Sequence, residues 1–148
     1  MRYVLRFRQF LTLYGKNTTG SNLLLSLTPT SERKDIKTYS NPINAAYTVR
    51  LVLDIFKRKV CAVHPTETTP GQRSRIVVIA PYDGQKNLYK EMFARISNAE
   101  FVRGLVEVHT ILGVQGHEAD LVIFDMTRTS NFGFLCQHVN ANVALRWC

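Results

Sequence analysis

VEVHTILGVQGHEADLVIFDMTRT, residues 106–129, sets two short apolar runs on either side of a polar, glycine-bearing turn. Val106-Glu107-Val108-His109 alternates, as a strand does when successive side chains leave on opposite faces. Leu121-Val122-Ile123-Phe124 is wholly apolar, the pattern of a strand covered on both sides. Upstream, Ile76-Val77-Val78-Ile79-Ala80 is a third such run. Asp83-Gly84 is expected to end it, and a helix follows with Leu88, Met92 and Ile96 on one face. Residues 42–58 predict an earlier helix. Asn41 suits its N-cap, Pro42 its first position, and Tyr47, Leu51 and Ile55 recur at spacing four, with Val52 and Phe56 widening the face. Lys57-Arg58-Lys59 complements the dipole at its end. Pro, Gly and Thr make residues 64–74 a loop. Strands alternating with helices predict an α/β fold with a mostly parallel sheet. Ligands of such sheets bind beyond the carboxyl ends of the strands, so chemistry is expected in the loops after Ala80, His109 and Phe124.

Composition narrows the classes. The chain has 148 residues, enough for one core, and is 45% hydrophobic and 20% charged, which is globular. No run approaches the roughly eighteen apolar residues of a membrane span, and the arginines in MRYVLRFRQFLTLYG argue against a secretory leader. Cys61, Cys136 and Cys148 are far apart with no C-x-x-C pair; reduced thiols in a cytoplasmic or nuclear protein are expected. His64, His109, His117 and His138 lack metal-ligand spacing, so no metal site is expected, and His109 reads as a packed strand-end residue. The net charge of +8 is uneven. Residues 1–75 hold 13 Lys+Arg against 4 Asp+Glu, and residues 76–148 hold 6 against 7. The basic half suits phosphate backbones or plain solvated surface equally well.

Taken in order, several stretches resemble the second RecA-like domain of superfamily 1 helicases of the up-frameshift type, the group of the nonsense-mediated-decay helicase. Thr110, Gln115, Gly116, Glu118, Asp120, the strand at 121–124 and Arg128 match motif V. IVVIAPYDGQ, with Tyr82 and Gln85, looks like motif IV. Gly133-Phe134-Leu135 followed by Asn142-Val143-Ala144-Leu145 looks like the approach to motif VI. YSNPINAA, residues 39–46, is similar to the opening of that domain, with Asn44 in place of a Glu. The resemblance spans residues 39–148 and leaves 1–38 as an unassigned basic and apolar segment.

The resemblance implies a RecA-like, P-loop NTPase type three-layer sandwich, C-terminally incomplete because the chain stops within motif VI. It implies ATP contact by Gln115, Gly116 and Glu118, and nucleic-acid contact by Thr110, Tyr82 and Gln85. Arg128 and Asp120 would couple the two. Residue chemistry fits part of this: a Glu118 carboxylate can accept from ribose hydroxyls, and Gly116, lacking Cβ, lets backbone approach phosphate. Departures stand beside the matches. Ala80 replaces a Thr before Pro-Tyr, Leu112-Gly113 replaces Asp-Ser, and Trp147 stands where the motif VI arginine finger belongs, leaving Arg146 as a displaced substitute. No Walker A loop is present; Gly15-Lys16-Asn17 has Phe10 where the first Gly belongs and lacks the Ser or Thr. ATP and Mg²⁺ are therefore expected only with a Walker-bearing first domain, in cis or trans. The other expected partner is RNA or DNA, held without sequence preference, and no membrane. Two further readings of this chain are a non-catalytic nucleic-acid-binding or protein-interaction module and a degenerate helicase gene fragment. A chain ending inside motif VI is also expected to lack a strand, leaving an open sheet edge and marginal stability.

Overall fold

The β-branched run at residues 76–79 is the centre of a three-stranded parallel sheet. The computed structural model describes residues 31–58, 75–97, 104–117 and 119–128. In chain order they form β1 (Arg33–Lys34), β2 (Tyr39–Ser40), α1 (Pro42–Lys57), β3 (Ile76–Ile79), α2 (Asp83–Ala94), β4 (Val106–His109) and β5 (Leu121–Phe124). The sheet order is β4-β3-β5, with Ile76 level with Val106 and Leu121, and Ile79 level with His109 and Phe124. The expected α/β architecture with a parallel sheet is thus present, as in a RecA-like helicase domain. No helix among the described residues is long and apolar enough to cross a membrane.

Side-chain alternation along the strands divides the core in two. Ile76, Val78 and Ala80 pack with Ala45, Val49, Val52, Ile55 and Phe56 of α1 and with Tyr89 and Phe93 of α2. Val77 and Ile79 face the other way and meet Ile111 and Val114 from the turn after β4. Both helices therefore cover one face of the sheet, and among the described residues the second face is closed by that turn. β3 is buried along its whole length, and β4 and β5 are half-buried.

Helix α1 begins as the sequence dictates. Pro42 occupies its first turn, and the Asn41 side chain accepts a hydrogen bond from the Asn44 N–H at 3.2 Å. Its buried stripe runs Ala45, Thr48, Val49, Val52, Ile55, Phe56. Tyr47 and Leu51, expected at the centre of that stripe, are half-buried on its flank. Helix α2 differs from expectation in two ways. Its buried stripe is Gln85, Tyr89 and Phe93, with Leu88, Met92 and Ile96 packed beside it. Asp83-Gly84 is not a terminator of β3 but the first turn of α2.

Gly84 is needed there because β2 passes close by. A Cβ at this position would sit 2.9 Å from Thr38 Cγ2 and 2.9 Å from the Tyr39 carbonyl oxygen. The Gly84 N–H donates to Thr38 Oγ1 at 2.9 Å, which ties the short β1–β2 hairpin to the start of α2. The loop at 64–74, Glu118, the motif VI approach at 133–145, Arg146, Trp147 and all three cysteines lie outside the described residues.

Candidate nucleotide and nucleic-acid interface

The three strands end at one level. The Ala80 N–H donates to the His109 carbonyl at 3.0 Å, and the Asp125 N–H to the Ile79 carbonyl at 2.9 Å. Just beyond this carboxyl edge lies a buried polar network centred on Asp125. Its carboxylate accepts from Asn44 Nδ2 at 2.9 Å, from Gln85 Nε2 at 2.6 Å, from the Tyr89 hydroxyl at 2.6 Å and from the Thr127 N–H at 2.8 Å. Gln85 Oε1 accepts from the Asn41 N–H at 2.7 Å, and Asn41 Nδ2 donates to the Thr127 carbonyl at 3.0 Å. Thr127 is at φ 65, a left-handed conformation unusual for a β-branched residue, and is bonded there through its N–H to Asp125 and through its carbonyl to Asn41. Burial, and then the charge of Asp125, push the Tyr89 hydroxyl well above its ordinary pKa.

The network corrects one expectation. Gln85 was assigned to nucleic acid by resemblance, but it is fully buried and both ends of its amide are taken up by Asn41 and Asp125. In this conformation it is a scaffold residue. Asn44, the substitute for the family's Glu, is a donor to Asp125. Asp125 itself was not singled out in the sequence, although a lone acidic residue directly after a buried strand was the signal that marks it.

Above the network stands a half-buried group of Tyr39, Tyr82, Arg128 and Glu32. The Tyr39 and Tyr82 rings meet edge to face at 5.1 Å, and the Arg128 guanidinium lies 4.2 Å from the Tyr39 ring centre. Arg128 Nε donates to Glu32 Oε1 at 3.2 Å. Desolvation pulls the Arg128 pKa down, but hydrogen bonds with Glu32 and Tyr82 outweigh it and hold the group above its ordinary value. Tyr82 and Arg128 therefore stand together at the carboxyl edge, where ligands of parallel sheets bind.

The turn after β4 carries the remaining candidates. Thr110 Oγ1 accepts from the Gly113 N–H at 3.3 Å, and the Thr110 carbonyl accepts from the Val114 N–H at 3.1 Å. Buried Ile111 and Val114 anchor the turn, while Gln115 and Gly116 are exposed. Gly116 has φ +85, with open space where a Cβ would be. Asp120 lies elsewhere. Its carboxylate accepts from the Arg75 N–H at 2.7 Å and its own N–H donates to the Arg75 carbonyl at 3.0 Å, fastening the starts of β3 and β5. Asp120 and Arg128 are thus at opposite ends of β5, and the structure does not bring this expected coupling pair together.

On the sheet face away from the helices the structure joins residues that sequence spacing had kept apart. His109 Nε2 and His117 Nδ1 each lie 2.9 Å from Glu107 Oε2, and the two rings are 4.2 Å apart. The hydrogen bond with His109, aided by His117, holds the Glu107 carboxyl below its ordinary pKa against a desolvation that raises it. The expectation of scattered histidines is corrected for these two. Residues 107 and 109 share a strand face, and the turn returns residue 117 to it, a closure that spacing alone does not show.

Comparison with known proteins shows the family. The family AAA_12, an AAA domain, matches residues 12–146. A protein described as an uncharacterized ATP-dependent helicase, MJ0104 of Methanocaldococcus jannaschii, is 32% identical over 116 residues, covering 77% of this chain and 14% of that protein. A probable helicase of Arabidopsis thaliana, MAGATAMA 3, is 29% identical over 100 residues, covering 66% of this chain and 12% of its own length. The chain therefore spans a small part of the curated relatives it matches. With a parallel α/β sheet, a polar network at its carboxyl edge and a family match over nearly its whole length, this chain belongs to the AAA_12 family of AAA domains and is similar to ATP-dependent helicases.

Proposed function

We propose that this chain supplies the second RecA-like unit of an ATP-dependent superfamily 1 helicase of the up-frameshift type. The observation that carries the reading is the grouping of Tyr82 and Arg128 on a rigid polar platform at the carboxyl edge of the sheet, with Thr110 ending the neighbouring strand. Nucleic acid would cross this edge at Thr110 and Tyr82. ATP would lie against Gln115, Gly116 and Glu118, its phosphates and Mg²⁺ being held by a Walker-bearing first domain. Arg128, between Glu32 and the Tyr39 ring, is placed to sense either ligand.

Phosphoryl transfer depends on groups that position the phosphates and the metal, and this sequence has no Walker A loop. The chain alone is therefore expected to show no nucleic-acid-stimulated ATP hydrolysis. Fusion to the first RecA-like domain of a related helicase should restore turnover. In that fusion Glu118→Ala should weaken nucleotide binding by about 1–3 kcal/mol, the range for losing hydrogen bonds to a charged group. Turnover by the unfused chain would overturn the division of labour, and an unchanged nucleotide affinity in the Glu118 variant would remove that residue from the site.

A further inference from the structure

We propose that Glu107, His109 and His117 form a binding site for a divalent transition-metal ion of the Zn²⁺ class. Three ligand atoms of the right chemistry converge: two imidazole nitrogens and one carboxylate oxygen, all within 4.8 Å of one another. Imidazole and carboxylate together suit Zn²⁺ and its first-row neighbours, whereas Mg²⁺ and Ca²⁺ prefer sets made only of oxygen.

The scaffold holds the ligands before any metal arrives. Glu107 and His109 are two apart on β4, so both project from the same face of a strand locked to β3 by parallel pairing at Val77 and Ile79. His117 reaches that face through the turn at 110–117, which Ile111 and Val114 pin into the second core. The His117 N–H donates to the Val114 carbonyl at 3.1 Å, and the left-handed Gly116 permits the reversal just before it.

Geometry within the group also fits a metal. Both imidazoles aim a nitrogen at the same oxygen, Glu107 Oε2, and not one at each oxygen. The other oxygen, Oε1, is engaged by Arg75 at 3.5 Å, an outer partner that orients the carboxylate. The three side chains retain 31%, 23% and 38% exposure, so solvent or an added group can complete the coordination sphere. A bound ion would link β4 to the far end of the turn that begins at Thr110 and carries Gln115 and Gly116. It would thereby stiffen the segment that the functional proposal assigns to ATP and nucleic acid, although the metal site does not depend on that proposal.

The test uses the full chain, freed of metal with a chelator and titrated with Zn²⁺ in competition with a chromogenic chelator. One equivalent should bind, and the melting temperature should rise with it. His109→Ala, His117→Ala and the near-isosteric Glu107→Gln should each weaken binding by about ten-fold or more, the scale of a damaged metal site. Circular dichroism of the metal-free variants separates lost ligation from lost folding, and Glu107→Gln keeps the test decisive if an Ala variant fails to fold. A chain carrying Cys61→Ser, Cys136→Ser, Cys148→Ser, His64→Gln and His138→Gln should still bind one Zn²⁺. Failure of the unaltered chain to bind Zn²⁺ overturns the proposal. So does binding that survives in all three ligand variants or disappears in the five-substitution control, because the ion would then sit elsewhere.

Discussion

Asp125 is the residue on which the carboxyl edge depends. A buried polar donor that loses its acceptor carries its full desolvation penalty, about 1–3 kcal/mol each. Asp125→Ala would strand Asn44 Nδ2, Gln85 Nε2, the Tyr89 hydroxyl and the Thr127 N–H together. With several neutral donors stranded at that cost each, the expected loss in urea unfolding is more than about 3 kcal/mol. Tyr89→Phe removes one donor and leaves the other three bonded, so a smaller loss of about 1.5–3 kcal/mol is expected. Its pH dependence is distinctive. Unfolded tyrosine ionises near about 10, and Tyr89 is raised well above that in the folded chain. The unfolded state therefore releases its proton first, and the Tyr89 contribution is complete below that value and lost as pH rises through and beyond it. Stability should fall less steeply on the alkaline side in Tyr89→Phe than in the unaltered chain, measured by urea midpoints alongside tyrosinate absorbance. Equal alkaline slopes would contradict the assignment.

At the scale of elements, the two glycines of this region make opposite demands. Gly84 opens a helix, where Ala is ordinarily better by about 1 kcal/mol. Here a Cβ would press on the Tyr39 backbone oxygen at 2.9 Å, and backbone cannot swing aside as a side-chain tip can. Gly84→Ala should therefore lower the melting temperature despite its helix propensity. Gly116→Ala meets no neighbour, and its expected cost of about 1–2 kcal/mol comes from φ +85 alone. Gly116→Asn should recover part of that loss, since Asn tolerates this conformation, whereas no such rescue is expected at Gly84. The same elements show what sequence reading reaches. The extent of α1, its Asn41 cap and the strands at 106–109 and 121–124 were legible because cap chemistry and apolar runs are local. In the stripe of α1, Val52, Ile55 and Phe56 were read correctly, but Tyr47 and Leu51 are apolar enough to suggest the centre, while small Ala45 and polar Thr48 are what the sheet accepts. Gln85 and Asp125 were misjudged or missed because polar residues read as surface until a partner forty positions away is known. Motif order brought Tyr82 and Arg128 forward as candidates, but their shared contact with each other and with Tyr39 was not legible.

Among the described residues, the buried strand β3 and the exposed β1–β2 hairpin are joined through the candidate site. β3 is paired on both sides and buried on both faces, with residues 76–79 at 0–2% exposure. Its amides should exchange with solvent only through global unfolding. The β1–β2 hairpin is the opposite case: β1 is exposed, and its two strands share a short antiparallel ladder closed by the turn bond from the Asp35 N–H to the Thr38 carbonyl. What fastens it is tertiary. Ser31 bonds to Asn41 and Ile43 at the start of α1, Thr38 receives Gly84, and Glu32 pairs with Arg128 just past β5. Arg128 is also packed over Tyr39 in β2, so one side chain grips β2 and the residue that leads into β1. Arg128→Ala should therefore speed amide exchange across residues 32–40 while leaving exchange at Val77, Val78 and Ile79 unchanged. Arg128→Lys keeps a cation but loses the planar contact with Tyr39, and should fall between the two. Equal acceleration in β3 would mean that hairpin and sheet open as one unit, and no change in the hairpin would mean that the Ser31 and Thr38 contacts suffice to hold it. The expected result, local release with an intact sheet, would make Arg128 the contact that fastens the hairpin to the carboxyl edge of the sheet. A phosphate or nucleotide group that competed with Glu32 for the guanidinium would then loosen the hairpin by the same contact it used to bind.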